Sequence, residues 1–246
     1  MNYYKSNAVY KELEQSDNHP FVWVSGNAWM LVYANEWSVP RLMVLAHGAS
    51  WEPEPMAMRV CDAIATSAGL PVIRVEFDDT ADSIDDVRYA NSLGGQATTL
   101  SLVDLKAQFH AFGLPVTSGA CGKSVNDSSS SAYHNWQRDN LGAIKVTDID
   151  LVRINSTGMP REIIELKRSY IPLDQWSPFS NDFVNFNVLH HVARRAVLRF
   201  TIAYNVRQTN PFRDDASWLS LFDYPTPGRP ESLGQFAFGD FVWGKY

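Results

Sequence analysis

The sequence contains little cysteine and no long apolar run. Its 246 residues include only Cys61 and Cys121, too few for a disulfide framework or a cysteine zinc site. No apolar stretch approaches the roughly 18 residues needed to cross a bilayer. The opening MNYYKSNAVYKELEQ has neither the pattern of a signal peptide nor that of a transit peptide. These absences predict a cytoplasmic protein with no membrane partner.

Positive charge is scarce and unevenly placed. The net charge of −6 argues against a protein that coats nucleic acid non-specifically. Residues 1–100 hold six Lys or Arg against thirteen Asp or Glu, whereas residues 151–210 hold eight against four. The run at 76–86 has six carboxylates and no basic residue, so it favours contact with a basic protein partner over contact with phosphate.

Length and composition allow one sizeable core or two small ones, since 45% of the residues are hydrophobic. The Ser/Gly/Asn-rich segment 117–131 cannot bury apolar area and is predicted to be a linker or mobile loop. It separates an N-terminal α/β region, 1–116, from a C-terminal region, 132–246, which ends in an aromatic extension. The predicted fold class is α/β.

The N-terminal region is predicted to form strands at 22–24, 29–34, 41–46 and 71–77, with a helix at 54–68. Aligning its Pro-Arg pair at 40–41 with the pair at 160–161 places Met30, Leu45 and His47 at the positions of Asp150, Glu165 and Lys167. This allows a degenerate repeat that serves packing, dimerisation or substrate choice. The alternative, two unrelated segments with a common element order, is favoured because only a proline and an arginine match.

The C-terminal region contains a predicted β-hairpin with an unusual set of charges. Its arms, 148–154 and 161–167, are rich in β-branched residues and are joined by turn formers at 155–160. Antiparallel pairing about this turn places Asp150 opposite Glu165 and Asp148 opposite Lys167, with Cβ atoms roughly 5 Å apart. Two carboxylates held so close favour a hard divalent cation between them.

The flanking segments are also α/β in character. Apolar residues at helical spacing predict a helix over 182–196, with Ser180 or Asn181 as its N-cap. The β-prone segment 198–206 is predicted to add to the hairpin as the next strand of a mixed sheet, and 131–141 is predicted to form a preceding helix.

This order of elements, with an Asp on one strand and Glu-x-Lys on the next, resembles the PD-(D/E)XK nuclease superfamily, the restriction-endonuclease-like fold. The resemblance covers 131–206 at most. It implies that Asp150 and Glu165 bind metal and that Lys167 orients or helps to deprotonate the attacking water. The Leu166 carbonyl and Asp148 are further candidate ligands.

The chain departs from the family pattern at two places. Ile149 stands where the family has proline before the Asp, and the preceding helix has no evident glutamate. Gln137 or Asp139 are the accessory candidates on that helix. Both departures leave the number of metal ions open.

The resemblance implies a Mg²⁺- or Mn²⁺-dependent phosphodiesterase, most simply a DNA endonuclease, in a fold whose members often work as homodimers. Phosphate contacts are expected from basic residues gathered around the site, namely Arg168, Arg194, Arg195 and Arg199. The alternative is a protein that keeps the fold for nucleic-acid or protein binding without turnover.

A structural explanation of the hairpin also exists. A Glu-x-Lys triplet is expected roughly once by chance in a chain of this length, and the hairpin could instead be an exposed strand pair with an Asp148–Lys167 ion pair. A second acid-x-Lys triplet, Asp104 to Lys106, lies in a segment with helical spacing and is predicted to be a helix surface.

Overall fold

The computed structural model describes residues 7–16, 18–52, 54–117, 119 and 131–246. Within these ranges the protein is mixed α/β, with six α-helices and twelve strands in two mixed sheets. The helices are α1 (Ala8–Glu14), α2 (Pro55–Ala68), α3 (Leu102–Ala111), α4 (Ala132–Asn140), α5 (Phe183–Arg195, preceded by a 3-10 turn at Ser180–Asp182) and α6 (Phe238–Val242). None of these helices is long and apolar enough to cross a membrane.

The twelve strands form two sheets of six strands each. They are β1 (Phe21–Val22), β2 (Ala28–Ala34), β3 (Pro40–Gly48), β4 (Val72–Phe77), β5 (Asp86–Ala90), β6 (Thr98–Ser101), β7 (Lys145–Asp148), β8 (Leu151–Ile154), β9 (Pro160–Ser169), β10 (Arg199–Thr209), β11 (Phe212–Thr226) and β12 (Arg229–Ala237). The first sheet has the order β6-β5-β4-β3-β2-β7, and the second has the order β1-β8-β9-β10-β11-β12.

Local chemistry explains the main elements. The turn between β8 and β9 is closed by Asn155, whose Oδ1 accepts the N–H groups of Thr157 and Met159, while Gly158 takes the positive φ of 78° that the turn requires. Helix α2 starts with proline in its first turn and ends at Gly69 in the left-handed conformation. The predicted strands and helices of the N-terminal region are confirmed with small shifts at their ends.

Helices α2 and α5 contact each other and pack between the two sheets. The face of each sheet that points to them is called its inner face here. One large cluster joins the inner faces to both helices, and two further clusters cover the outer faces: α3 and α4 pack on the first sheet, and α1 and α6 pack on the second. Both sheets are therefore buried on both sides, which explains their long apolar strands.

The two halves of the chain exchange their first elements. Strand β1 pairs with β8 in the second sheet, and α1 packs on the outer face of that sheet. In return, β7 pairs with β2 in the first sheet, and α4 packs on its outer face. The division predicted at 117–131, which lies largely outside the described residues, therefore does not coincide with the division between the sheets.

The element order of the first half is repeated in the second. Each half runs helix, three strands, helix, three strands, helix, and in each the strand after the central helix pairs in parallel with the strand before it. The ladders also agree in register. Arg74 and Ile202 each lie five residues after the positive-φ residue that follows the central helix, Gly69 or Val197, and they pair with Leu45 and Glu165. The shared order and register agree with a degenerate repeat, and the choice between such a repeat and two unrelated segments stays a prediction.

Arg153 on β8 ties the second sheet to the last helix. Its Nε lies 2.8 Å from Glu162 Oε2, its guanidinium donates to the carbonyls of Phe241 and Val242, and it lies 4.5 Å from the ring centre of Phe21. Replacing Arg153 by Met removes the cation beside buried Glu162 and a donor to two helix-end carbonyls, so we expect a loss of about 2–3 kcal/mol in the free energy of unfolding. Urea denaturation measures the change.

Arg213 provides the matched control, since its N–O distance to Asp215 is 2.7 Å, close to the 2.8 Å between Arg153 and Glu162, but its side chain is exposed. Arg213→Met should change the free energy of unfolding by no more than about 0.5 kcal/mol. Equal losses in the two variants would contradict the assigned role of Arg153.

Candidate active site

The β8–β9 hairpin brings Asp150 and Glu165 together as its register predicts. Leu151 pairs with Ile164 and Val152 with Ile163, which extends to Asp150 opposite Glu165. Asp150 directly precedes β8, and its Oδ2 accepts the N–H of Leu166 at 2.8 Å. Because side chains alternate along a strand, both carboxylates point to the inner face of the second sheet.

Both carboxylates are buried, each with 4% of its surface exposed. Glu165 Oε1 lies 2.8 Å from Lys167 Nζ, but Glu165 Oε2 is buried without a hydrogen-bond partner. A buried acceptor without a partner costs roughly 1–3 kcal/mol. This oxygen marks a place where a proton or a cation would be stabilised.

The electrostatics of the Asp150–Glu165 pair also indicate a place where a proton or a cation would be stabilised. Burial raises the pKa of Asp150 well above its usual range, and the charges of Glu165 and Asp148 raise it further. Burial also raises the pKa of Glu165, although Lys167 partly opposes this. Two acids whose ionised forms are both disfavoured bind a cation or retain a proton.

Lys167 is held as a fixed positive charge. Its Nζ lies 2.8 Å from Glu165, 3.8 Å from Asp182 Oδ1 and 5.4 Å from the ring centre of Phe186. Burial alone would lower the pKa of Lys167, but the carboxylates of Glu165, Asp182 and Asp150 raise it above its usual value. A lysine that keeps its proton can orient a water or stabilise negative charge, and it is a poor base.

Asp182 is a member of the site that the sequence did not reveal. It is the last residue of the 3-10 turn and the N-cap of α5, the position predicted for Ser180 or Asn181, which lie earlier in the same turn. No pattern in the sequence links it to Lys167, since the contact depends on how α5 packs on the sheet. Its only local signal is an acidic residue at a predicted helix start.

Asp148 does not lie opposite Lys167, and the prediction of that pair was wrong. The predicted first arm of the hairpin is divided: β7 pairs with β2 in the first sheet, so Asp148 faces Leu31, and only the part from Leu151 onward pairs with β9. The charge of Asp148 still raises the pKa of Asp150 and of Glu165. The structural alternative of an Asp148–Lys167 ion pair is not found.

The accessory candidates on the preceding helix lie elsewhere. Helix α4 forms as predicted, but it packs on the outer face of the first sheet, where Gln137 Oε1 accepts a hydrogen bond from Tyr33 Oη. Asp139 is exposed on the same helix. The exchange of elements explains this, because α1 takes the equivalent place on the second sheet, and its Tyr10 Oη donates to the Asp150 carbonyl at 2.8 Å.

The predicted basic residues do not gather around Lys167. Arg168 lies 2.7 Å from Asp214 in a nearly buried ion pair. Helix α5 begins beside Lys167 and is 13 residues long, so Arg194 and Arg195 at its end are roughly 18 Å from its start. Arg199 begins β10 and faces Glu162 on the outer face, with 3.8 Å between Nε and Oε1. The expectation of a basic surround was wrong.

The donor set fits a hydrated Mg²⁺ ion in type, since this ion is commonly held by one or two carboxylates and keeps several waters. Asp150 and Glu165 are the residues that would hold it, and the unpartnered Glu165 Oε2 is the observation that supports the fit. Among the described residues, no group of three or more His, Cys, Asp or Glu side chains is arranged to hold a metal ion. The protein would therefore contribute two carboxylates rather than a complete cage.

Comparison with models of protein families, with curated proteins and with solved structures gave no significant match.

Proposed function

We propose that the protein is a Mg²⁺-dependent nuclease that hydrolyses phosphodiester bonds, most simply a DNA endonuclease, with Asp150, Glu165 and Lys167 at its centre. One observation carries the proposal: two buried carboxylates face each other across adjacent strands, and one of their oxygens has no partner. The order hairpin, helix, parallel strand supports it, since this is the order expected of a restriction-endonuclease-like core.

In this proposal Asp150 and Glu165 hold the metal ion, with the Leu166 carbonyl as a further candidate ligand, and Asp148, which pairs opposite Leu31 in the first sheet, does not complete a group of three ligands. When bound, the ion would polarise the scissile phosphate and lower the pKa of a coordinated water. Lys167 supplies a permanent positive charge beside the carboxylates, which orients the water and offsets negative charge that develops on the phosphate. Glu165 and, to a smaller extent, Asp182 raise the pKa of Lys167 and keep it protonated.

Cleavage of supercoiled plasmid tests the proposal. Nicking or linearisation is expected with Mg²⁺ or Mn²⁺ and not with EDTA, and the isosteric variants Asp150→Asn and Glu165→Gln should each lose at least about 100-fold in rate. Asp104→Asn is the matched control, because Asp104 belongs to the acid-x-Lys triplet on the exposed surface of α3. Cleavage that survives in both site variants would contradict the assignment.

A non-catalytic binding protein is the second candidate, and the Glu165–Lys167 ion pair favours it, because Lys167 already compensates one of the two acids. The two candidates differ in their response to metal. A working site gains stability from Mg²⁺ or Mn²⁺ by mass action, about 2.7 kcal/mol at a hundredfold excess over Kd. A binding protein that has lost the site should melt at the same temperature with and without metal.

A further inference from the structure

Among the described residues, the pair of facing carboxylates is present in one half of the chain and has no counterpart in the other half, although the two halves share their element order. By ladder register, Met30 occupies the place of Asp150 and Leu45 that of Glu165, since Met30 pairs with Leu45 across β2 and β3. Both are fully buried in the central cluster and provide no oxygen ligand. His47 stands at the place of Lys167, because His47 pairs with Glu76 in the first sheet as Lys167 pairs with Tyr204 in the second.

The equivalence extends to the helices between the paired strands. Asp182 begins α5, and Glu54 is the corresponding N-cap of α2. The two helices contact each other in the middle of the molecule, and each contacts strands of both sheets. Apolar side chains therefore stand in the first half at the two positions where the second half has carboxylates.

The two halves are locked together within one chain. Strand β1 of the first half completes the second sheet, and β7 of the second half completes the first. The buried side chains of α2 and α5 belong to one continuous hydrophobic cluster. This is the arrangement of two exchanged subunits of a dimer, made here by a single polypeptide.

We infer that the chain is an internal pseudo-dimer with a single chemical centre, which cuts one strand of duplex DNA in each binding event. The inference rests on the proposed nuclease function. In each cut, a water oxygen forms a bond to phosphorus, the bond from phosphorus to the leaving oxygen breaks, and the proton lost by the water is balanced by one taken up by the leaving oxygen. A second strand is cut only after a new, independent binding event.

The test follows supercoiled plasmid under Mg²⁺ with DNA in excess over protein. Open-circular DNA should accumulate first, and linear DNA should form later from independently placed nicks, with an initial rate that is proportional to protein concentration. Linear DNA that appears together with the open circle, or a rate that rises with the square of protein concentration, would overturn the single-centre account while leaving a nuclease. Absence of any cleavage would remove the proposed function and this inference with it.

A mixing experiment distinguishes cleavage by a single chain from cleavage that needs two chains. Asp150→Asn protein is added in equal amount to a fixed amount of the unmodified protein, again with DNA in excess. The nicking rate should stay the same if each chain works alone. If two centres from two chains make a double-strand cut, the linear product should fall about twofold, because half of the productive pairs are replaced by mixed ones.

Discussion

Fragments 1–116 and 132–246, prepared separately, should each fail to fold, and mixing them should restore the native fold. The first fragment lacks β7 and α4, so one edge of its sheet is unpaired and its outer face keeps α3 but loses α4. The second fragment lacks β1 and α1, which leaves β8 unpaired on one side and exposes another cluster. The loss should exceed the whole 5–15 kcal/mol by which a typical domain is stable.

Circular dichroism and two-dimensional NMR spectra of each fragment and of the mixture measure this result. The spectrum of the mixture should approach that of the intact chain, and the midpoint of unfolding should rise with fragment concentration, since association is then coupled to folding. If either fragment alone shows dispersed NMR signals and cooperative unfolding, the exchange of elements is not what holds the halves together.

Replacing Lys167 by Met should destabilise the metal-free protein by about 3–5 kcal/mol at neutral pH, because it removes the cation nearest to two buried carboxylates. Lys167 Nζ is 2.8 Å from Glu165, and the pKa of Asp150 is already raised by burial. Urea denaturation in EDTA measures the loss. Added Mg²⁺ should recover part of it if the carboxylates hold the ion as proposed.

The loss should depend on pH in a definite direction. An acid whose pKa is raised in the folded state contributes its full stability below its unfolded pKa, and this is lost as the pH rises through the folded value. Asp150 and Glu165 both have raised pKa values. The Lys167→Met variant and the parent should therefore have similar stability near pH 4 and diverge as the pH rises toward 7.

Asp150→Asn is the control for this prediction. The amide oxygen can still accept the N–H of Leu166, but the variant carries no charge. It should be more stable than the parent at neutral pH in EDTA, and combined with Lys167→Met it should reduce the loss caused by that change. Equal effects of Lys167→Met at pH 4 and pH 7 would contradict a charge-based origin.

The sequence predicts the core of the site because its signals there are local. The register of the hairpin follows from the turn at Asn155 and Gly158 and from the alternation of apolar residues, so Asp150 and Glu165 can be paired without a structure. The helix at Phe183–Arg195 and the parallel strand after it follow from periodicity in the same way.

No local feature of the sequence indicates the exchange of elements between the halves. Nothing between Asp148 and Leu151 announces that the chain passes from one sheet to the other, because β-branched residues suit either ladder. For the same reason the sequence does not show on which sheet α4 packs, and therefore it does not give the position of Gln137. The correspondence of Met30 and Leu45 with Asp150 and Glu165 has only the Pro-Arg pairs at 40–41 and 160–161 to support it in the sequence.

The error over the basic residues had a different origin. A helix that connects two parallel strands runs antiparallel to them, so its end lies at the edge of the sheet where the strands begin. Arg194 and Arg195 are at that end, whereas Lys167 lies toward the other end of β9. The topology therefore implies that Arg194 and Arg195 lie far from Lys167, although all three are in the same positively charged stretch of the sequence.

Binding of Mn²⁺, followed by electron paramagnetic resonance, tests the central claim most directly, because it asks whether Asp150 and Glu165 form a cation site regardless of any substrate. Titration of the unmodified protein should show one bound ion per chain, and the Asp150→Asn and Glu165→Gln variants should lose it while Asp104→Asn retains it. An unmodified protein that binds no Mn²⁺, or site variants that bind it as well as the parent does, would contradict the account.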